Sequence, residues 1–302
     1  FLLSRVFTGS GVALVTPFSE DGKIDYDVFE KLIEFQIANN TDAIIVMGTT
    51  GEAATLTHEE HLDVIKYCVE VVNKRIPVIA GTGSNDTAYA IDLTKFACDI
   101  GYDAMLVVTP YYNKTSQHGL IKHFTTIAEA VNIPIILYNV PSRTGVNIEP
   151  ATYGVLADHP MITGIKEASG NISKIVETMA IVGDRLDLYS GNDDQIIPLL
   201  SLGGSGVISV LSNLLPKETS QMCHKFFEGK TDEALKMQLD YLPLINALFC
   251  EVNPIPVKAA MAAMGFCEDY LRLPLTPMEA ENEAKLLALM AEQGITLKGA
   301  KV

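Results

Sequence analysis

Lys166 lies in the stretch Gly164-Ile165-Lys166-Glu167-Ala168-Ser169, at the end of an apolar run that begins at Met161. The run reads as a buried strand and leads into a turn and a helical pattern, so the lysine falls near the strand's C-terminal end. A lone ammonium there is costly unless it is paired or gives up its proton, because burial disfavours the charged form. A neutral lysine is a nucleophile towards ketones and aldehydes. The competing reading is a lysine paired with a buried carboxylate or reaching out past the strand end. Of the 17 lysines, the other 16 fall on segments that read as helices, loops or tails. Lys166 therefore carries the chemical hypothesis.

Other polar groups have jobs available to them. Gly48-Thr49-Thr50-Gly51 offers two hydroxyls and exposed backbone N–H groups, suited to a carboxylate; a plain turn with capping hydroxyls is the alternative. Tyr138, on a strand-like segment that would neighbour the lysine strand, could relay protons to and from a carbinolamine, or could be a core aromatic. Arg143 is one of only five arginines and follows a Pro-Ser turn. Its planar fork suits a substrate carboxylate, the alternative being a surface ion pair. Other segments carry little. His58-Glu59-Glu60-His61 has i, i+3 histidine spacing, not the i, i+4 spacing of zinc hydrolases, so no metal is expected. Gly203-Gly204-Ser205-Gly206 precedes a strand and reads as a tight turn at the far end from the chemistry. Lys258, in Asn253-Pro254-Ile255-Pro256-Val257-Lys258, opens a helix outside the strand region and reads as structural.

These residues need elements to position them. Eight strand-like runs can be drawn: Val12–Pro17, Ala43–Gly48, Val78–Gly81, Ala104–Thr109, Ile135–Tyr138, Ile162–Lys166, Leu186–Ser190 and Gly206–Val210. Amphipathic segments alternate with them, and Thr57-His58-Glu59-Glu60 reads as a capping box. Alternating strand and helix units mean a parallel sheet, and eight of them suggest an α/β (β/α)8 TIM barrel. An open doubly wound sheet would want a Gly-rich phosphate loop after the first strand, where Thr16-Pro17-Phe18-Ser19 stands instead. The barrel is expected over residues 1–214, with a helical region packed on it over 215–302. The C-terminal strand ends, where such barrels do their chemistry, gather Thr49, Thr50, Tyr111, Tyr112, Tyr138, Arg143, Lys166, Gly191 and Ser209.

Composition narrows the class. A net charge of −15 argues against a phosphate backbone as partner, so no nucleic acid is expected. No apolar run reaches the ~18 residues of a membrane span. Five scattered cysteines without a C-x-x-C pair fit free thiols in a reducing, cytoplasmic setting. The first residues, Phe1-Leu2-Leu3-Ser4-Arg5, lack the pattern of a secretory leader.

Taken together, Gly48-Thr49-Thr50-Gly51-Glu52-Ala53-Ala54-Thr55-Leu56, Pro110-Tyr111-Tyr112-Asn113-Lys114, Tyr138-Asn139-Val140-Pro141-Ser142-Arg143-Thr144-Gly145 and Gly164-Ile165-Lys166-Glu167-Ala168-Ser169 resemble the dihydrodipicolinate synthase family, of the N-acetylneuraminate lyase-like class I aldolases. The likeness runs from about Gly9 to the C-terminal helices. It implies a lyase that condenses pyruvate with aspartate-4-semialdehyde on the diaminopimelate route to lysine. Lys166 would form the Schiff base, and Tyr138 would give and take protons. Thr50 would link Tyr138 to Tyr112 of a neighbouring subunit. Thr49, Thr50, Gly191 and Ile208 would hold the pyruvate carboxylate, and Arg143 that of the semialdehyde. No cofactor is implied beyond the covalent imine, and a homodimer or homotetramer is expected. An effector pocket would include Ala53, Ala54, His58, His61, Asn85, Tyr89 and Tyr111. Lysine-sensitive members carry serine at the Ala53 position and glutamate at the Tyr89 position, so weak or absent inhibition by lysine is expected. A sister aldolase acting on N-acetylneuraminate or a 2-keto-3-deoxy sugar acid shares the imine, and a catalytically silent keto-acid-binding barrel is the alternative outside enzymes.

Overall fold

A computed structural model describes residues 5–298. Eight parallel strands close into one barrel in chain order, β1 bonding to β8. They are β1 (Gly9–Ala13), β2 (Ala43–Val46), β3 (Val78–Gly81), β4 (Ala104–Val108), β5 (Ile135–Asn139), β6 (Ile162–Glu167), β7 (Asp187–Ser190) and β8 (Gly206–Ser209). Side chains fill the inside and helices cover the outside, so the strands are buried on both faces and read as apolar runs. The covering helices are α1 (Tyr26–Ala38), α2 (His58–Val72), α3 (Thr87–Asp99), α4 (Gln117–Glu129), the single turn α5 (Pro141–Thr144), α6 (Pro150–Leu156), α7 (Ile172–Val182) and α8 (Ile196–Ser201). Four helices, α9 (Pro216–Phe227), α10 (Thr231–Ala247), α11 (Ile255–Ala263) and α12 (Ala280–Glu292), follow the last strand. Capping fixes where several of them begin. Asp25, Asp86, Ser116 and Asn171 each accept a first-turn N–H, and Thr57 with Glu60 forms the expected capping box.

Two apolar layers result. Ile45, Ile79, Leu106, Ile136, Tyr189 and Ile208 belong to the inner one. Phe7 stacks on Tyr189 with ring centroids 4.4 Å apart. The outer layer joins sheet and helices, and it runs continuously into Leu244, Val257 and Leu286 of the last helices.

Two features differ from the sequence expectation. β1 spans Gly9–Ala13, not Val12–Pro17. Leu14 and Val15 are fully buried but lie beyond the strand: the Leu14 N–H still donates to the Ile45 carbonyl at 3.0 Å, while the Val15 N–H turns to Asn213 Oδ1 at 3.3 Å. Gly11 belongs to the strand because Ile45 and Phe7 occupy the space a Cβ would take, at 2.5 and 2.9 Å. The second feature is a register shift in the β5–β6 ladder. Ile135 pairs with Ile162 but Ile136 pairs with Gly164, so Tyr138 comes level with Lys166. Without that shift Tyr138 would pair with Ile165. A one-residue slip turns every side chain to the opposite face. The irregularity therefore decides whether tyrosine and lysine share the barrel interior.

Candidate active site

Lys166 is 6 % exposed on β6. Its Nζ lies 4.0 Å from the centroid of the Tyr138 ring, itself buried at the end of β5. Among the described residues the Lys166 ammonium has no ion-pair or hydrogen-bond partner, which removes the buried-salt-bridge reading. Gly191 follows β7 and donates its N–H to the Glu167 carbonyl at 2.8 Å. A Cβ there would come within 3.2 Å of Lys166 Cε and 2.7 Å of Ala168 Cβ, so only glycine leaves the lysine chain its path. On the other side of the same two strands, Asn139 pairs with Glu167. The Glu167 carboxylate is buried and accepts from Tyr153 Oη at 2.7 Å, Asn139 Nδ2 at 3.0 Å and the Ser169 N–H at 3.2 Å. Burial pushes its carboxyl above the usual carboxylate range, and those donors oppose the rise.

The threonine loop follows β2. Met47 and Glu52 bracket it, both in the left-handed region with φ of 60° and 55°. On the Cβ side of Gly48 there is open space to 4 Å. Thr49 is half-buried and Thr50 buried. Thr50 Oγ1 accepts from Asn253 Nδ2 at 2.9 Å, which leaves its own proton free to donate. Asn253 also accepts at its carbonyl from Arg143 Nη2 at 3.1 Å. Arg143 is exposed on α5 and has no acidic partner among the described residues, so the surface-ion-pair reading of it falls away. Ile208 is buried on β8, beside Gly11 of β1.

This arrangement of lysine, tyrosine and threonine loop can be set beside known proteins. The model of the dihydrodipicolinate synthetase family matches residues 6–293. The chain belongs to this family. A 4-hydroxy-tetrahydrodipicolinate synthase of Alkaliphilus oremlandii is 57 % identical over 290 residues, 96 % of this chain and 100 % of that protein. One from Clostridium perfringens (strain 13 / Type A) is 57 % identical over 277 residues, 92 % of this chain and 95 % of its own length. The structure of the chloride-inhibited dihydrodipicolinate synthase of Acinetobacter baumannii complexed with pyruvate superposes with a TM-score of 0.94 at 46 % identity, covering 97 % of this chain and 100 % of that one.

Family expectations not yet placed concern the rim. Tyr112 is 91 % exposed, with φ of 69°, and makes no hydrogen bond to Thr50 within the chain. Tyr111 is 39 % exposed. In the expected effector pocket, His58 Nδ1 lies 3.2 Å from the Tyr89 hydroxyl. His61 is buried and its Nε2 donates to the Gly81 carbonyl at 2.9 Å. Burial lowers the His61 pKa, partly opposed by that carbonyl. The two histidines therefore face different partners and do not converge on an ion. Ala53 opens a short 3-10 turn, and the Asn85 carbonyl accepts from Asn113 Nδ2 at 2.9 Å. A cavity of about 300 Å³ beside α4 takes in Asn85 but none of the other pocket residues. Among the described residues no three His, Cys, Asp or Glu side chains gather as metal ligands.

Sequence reasoning missed two residues of the site's support, Asn253 and Asp193, and for Lys258, which reads as structural, it missed the partner. Asn253 ties Thr50 to Arg143, and Lys258 forms a fully buried ion pair with Glu52. Asp193, also buried, accepts the Val210 and Leu211 N–H groups at 3.0 and 2.9 Å just past β8, and burial pushes its carboxyl up. Only the position of Asp193 shortly after a strand end could have flagged it. The partners of the other two are more than 100 residues away.

Proposed function

We propose that this chain acts as a 4-hydroxy-tetrahydrodipicolinate synthase, a lyase joining pyruvate to aspartate-4-semialdehyde on the diaminopimelate route to lysine. The observation that carries this reading is Lys166 Nζ, buried without a counter-ion among the described residues and 4.0 Å from the Tyr138 ring centroid. Nζ attacks the pyruvate ketone, and Tyr138 relays the protons that let water leave and the imine form. Loss of a methyl proton gives an enamine, with the imine nitrogen as electron sink. No metal or organic cofactor has a step to perform. The enamine attacks the aldehyde carbon, and the semialdehyde amine then closes the ring and expels Lys166.

Thr49 and Thr50, with the Gly191 and Ile208 backbone, hold the pyruvate carboxylate. Arg143 takes the carboxylate of the semialdehyde, a role supported by its exposure and its freedom from an acidic partner. Tyr112 serves the site of a neighbouring subunit through Thr50, making a homodimer the smallest active unit and a homotetramer the expected assembly. Its 91 % exposure supports this. The division we draw puts the barrel in residues 1–214 and the region packed on it in 215–302, of which residues 1–4 and 299–302 lie outside the described residues. A cytoplasmic setting suits the free thiols, and no helix among the described residues is long and apolar enough to cross a membrane.

Borohydride reduction with pyruvate tests the reading. The expected result is a covalent pyruvate adduct on Lys166 that is absent in Lys166→Ala; no adduct on the wild type would sink every Schiff-base mechanism. A coupled assay offered aspartate-4-semialdehyde or N-acetylneuraminate separates this activity from that of a sister aldolase.

A further inference from the structure

Glu52 closes the threonine loop in a strained conformation. Its φ of 55° lies in the left-handed region, which a residue with a Cβ holds only when its surroundings force it there. Its own N–H donates to the Thr49 carbonyl at 3.0 Å, and Thr16 Oγ1 donates to the Gly51 carbonyl at 2.7 Å. Beyond these backbone contacts the side chain supplies the force. The Glu52 carboxylate meets Lys258 Nζ in an ion pair whose side chains are 0 % and 1 % exposed, and it accepts the Arg272 N–H at 3.3 Å. Lys258 is itself held, with Nζ 4.2 Å from the centroid of the buried Phe18 ring. The Arg272 guanidinium packs against the same ring at 4.6 Å. A lysine with no solvent access and a carboxylate at its head fixes the position of that carboxylate. The carboxylate fixes the left-handed turn, and the turn sets where Thr49 and Thr50 present their hydroxyls.

We propose that the buried Lys258–Glu52 pair is a positioning device for the loop that takes the pyruvate carboxylate, so that α11 sets pyruvate affinity without touching the substrate. The inference rests on the reading of Thr49 and Thr50 as pyruvate ligands. Removing one partner alone strands a buried charge. The test therefore compares Glu52→Gln with the double variant Glu52→Gln/Lys258→Met, which leaves no charge behind. Wild-type trapping of pyruvate on Lys166 by borohydride checks the functional reading separately. With that in hand, both variants are expected to raise the pyruvate KM by about tenfold or more while the semialdehyde KM stays within roughly twofold. The concentration of pyruvate needed for half-maximal trapping rises in parallel. The inference is overturned if a folded double variant keeps the wild-type pyruvate KM, or if both KM values rise together. It is overturned equally if neither variant folds, since the pair would then serve the fold alone.

Discussion

Replacing Tyr153 by phenylalanine tests the hydrogen-bonded cluster behind the reacting strands. Tyr153 is 1 % exposed and its hydroxyl donates to Glu167 Oε2 at 2.7 Å. Asn139 and Ser169 serve Oε1, so the variant leaves Oε2 without a donor among the described residues. Phenylalanine keeps the ring and its packing, and the loss is that of one hydrogen bond to a buried carboxylate. Such a loss costs about 1.5–3 kcal/mol. At about 2 °C per kcal/mol for a large domain, the melting temperature should fall by roughly 3–6 °C.

The pH dependence gives a sharper check. Burial raises the Glu167 carboxyl above its ordinary range, and the Tyr153 hydroxyl is one of the groups holding it down. In the window between the unfolded and the raised folded value the native state binds more protons, so this group's contribution to stability falls as pH rises through that window. Taking away the hydroxyl raises the carboxyl further and deepens the fall. The deficit of Tyr153→Phe should thus be largest on the alkaline side and shrink on acidification, as the carboxyl takes up its proton. Urea unfolding followed by near-ultraviolet circular dichroism, at matched protein concentration across that window, measures it. A deficit below about 0.5 kcal/mol on the alkaline side, or one that grows on acidification, would refute the reasoning.

Other substitutions separate chemistry from stability. Lys166→Met removes a buried amine that has no counter-ion among the described residues, so its melting temperature should equal or exceed that of the wild type while imine trapping vanishes. A clear drop in melting temperature would mean the lysine supports the fold. Tyr112→Phe should slow turnover by about a hundredfold if the hydroxyl relays protons. Phenylalanine keeps the ring, so the far-ultraviolet circular dichroism of the variant should match the wild type; full activity would remove Tyr112 from the mechanism. Millimolar lysine should leave the rate largely intact, because Tyr89 meets His58 where an effector's amine would need a carboxylate. Full inhibition in an initial-rate assay would overturn that reading.

The strands were legible because a parallel barrel buries both of their faces, and the helices because capping residues and apolar stripes mark them. What stayed hidden depends on pairing across the chain. Nothing local in Ile135–Asn139 or Ile162–Glu167 announces the register shift that brings Tyr138 level with Lys166. The first strand was misplaced for a related reason. Leu14 and Val15 look like strand because they are buried, yet the ladder uses Gly9-Ser10-Gly11, whose small residues are shaped by neighbours contributed from elsewhere.

The two buried lysines show why position, and not burial, was the right guide. Lys258 is less exposed than Lys166, at 0 % against 6 %, so a search for the most buried amine would have chosen the wrong residue. Burial holds the Lys258 amine below its ordinary pKa, and the Glu52 carboxylate opposes that fall only in part. Its charge is met by a partner 206 residues away, and its nitrogen faces an anion instead of open space. Lys166 has no such partner among the described residues and ends beside the Tyr138 ring, with its Nζ 4.0 Å from the centroid. A nucleophile must not be tied up by a counter-ion, and of the two lysines only the one at the strand end is unpaired among the described residues. The sequence could place Lys166 because strand and face are local properties. It could not exclude Lys258 on chemical grounds, because the carboxylate that engages that amine comes from a loop 206 residues earlier in the chain.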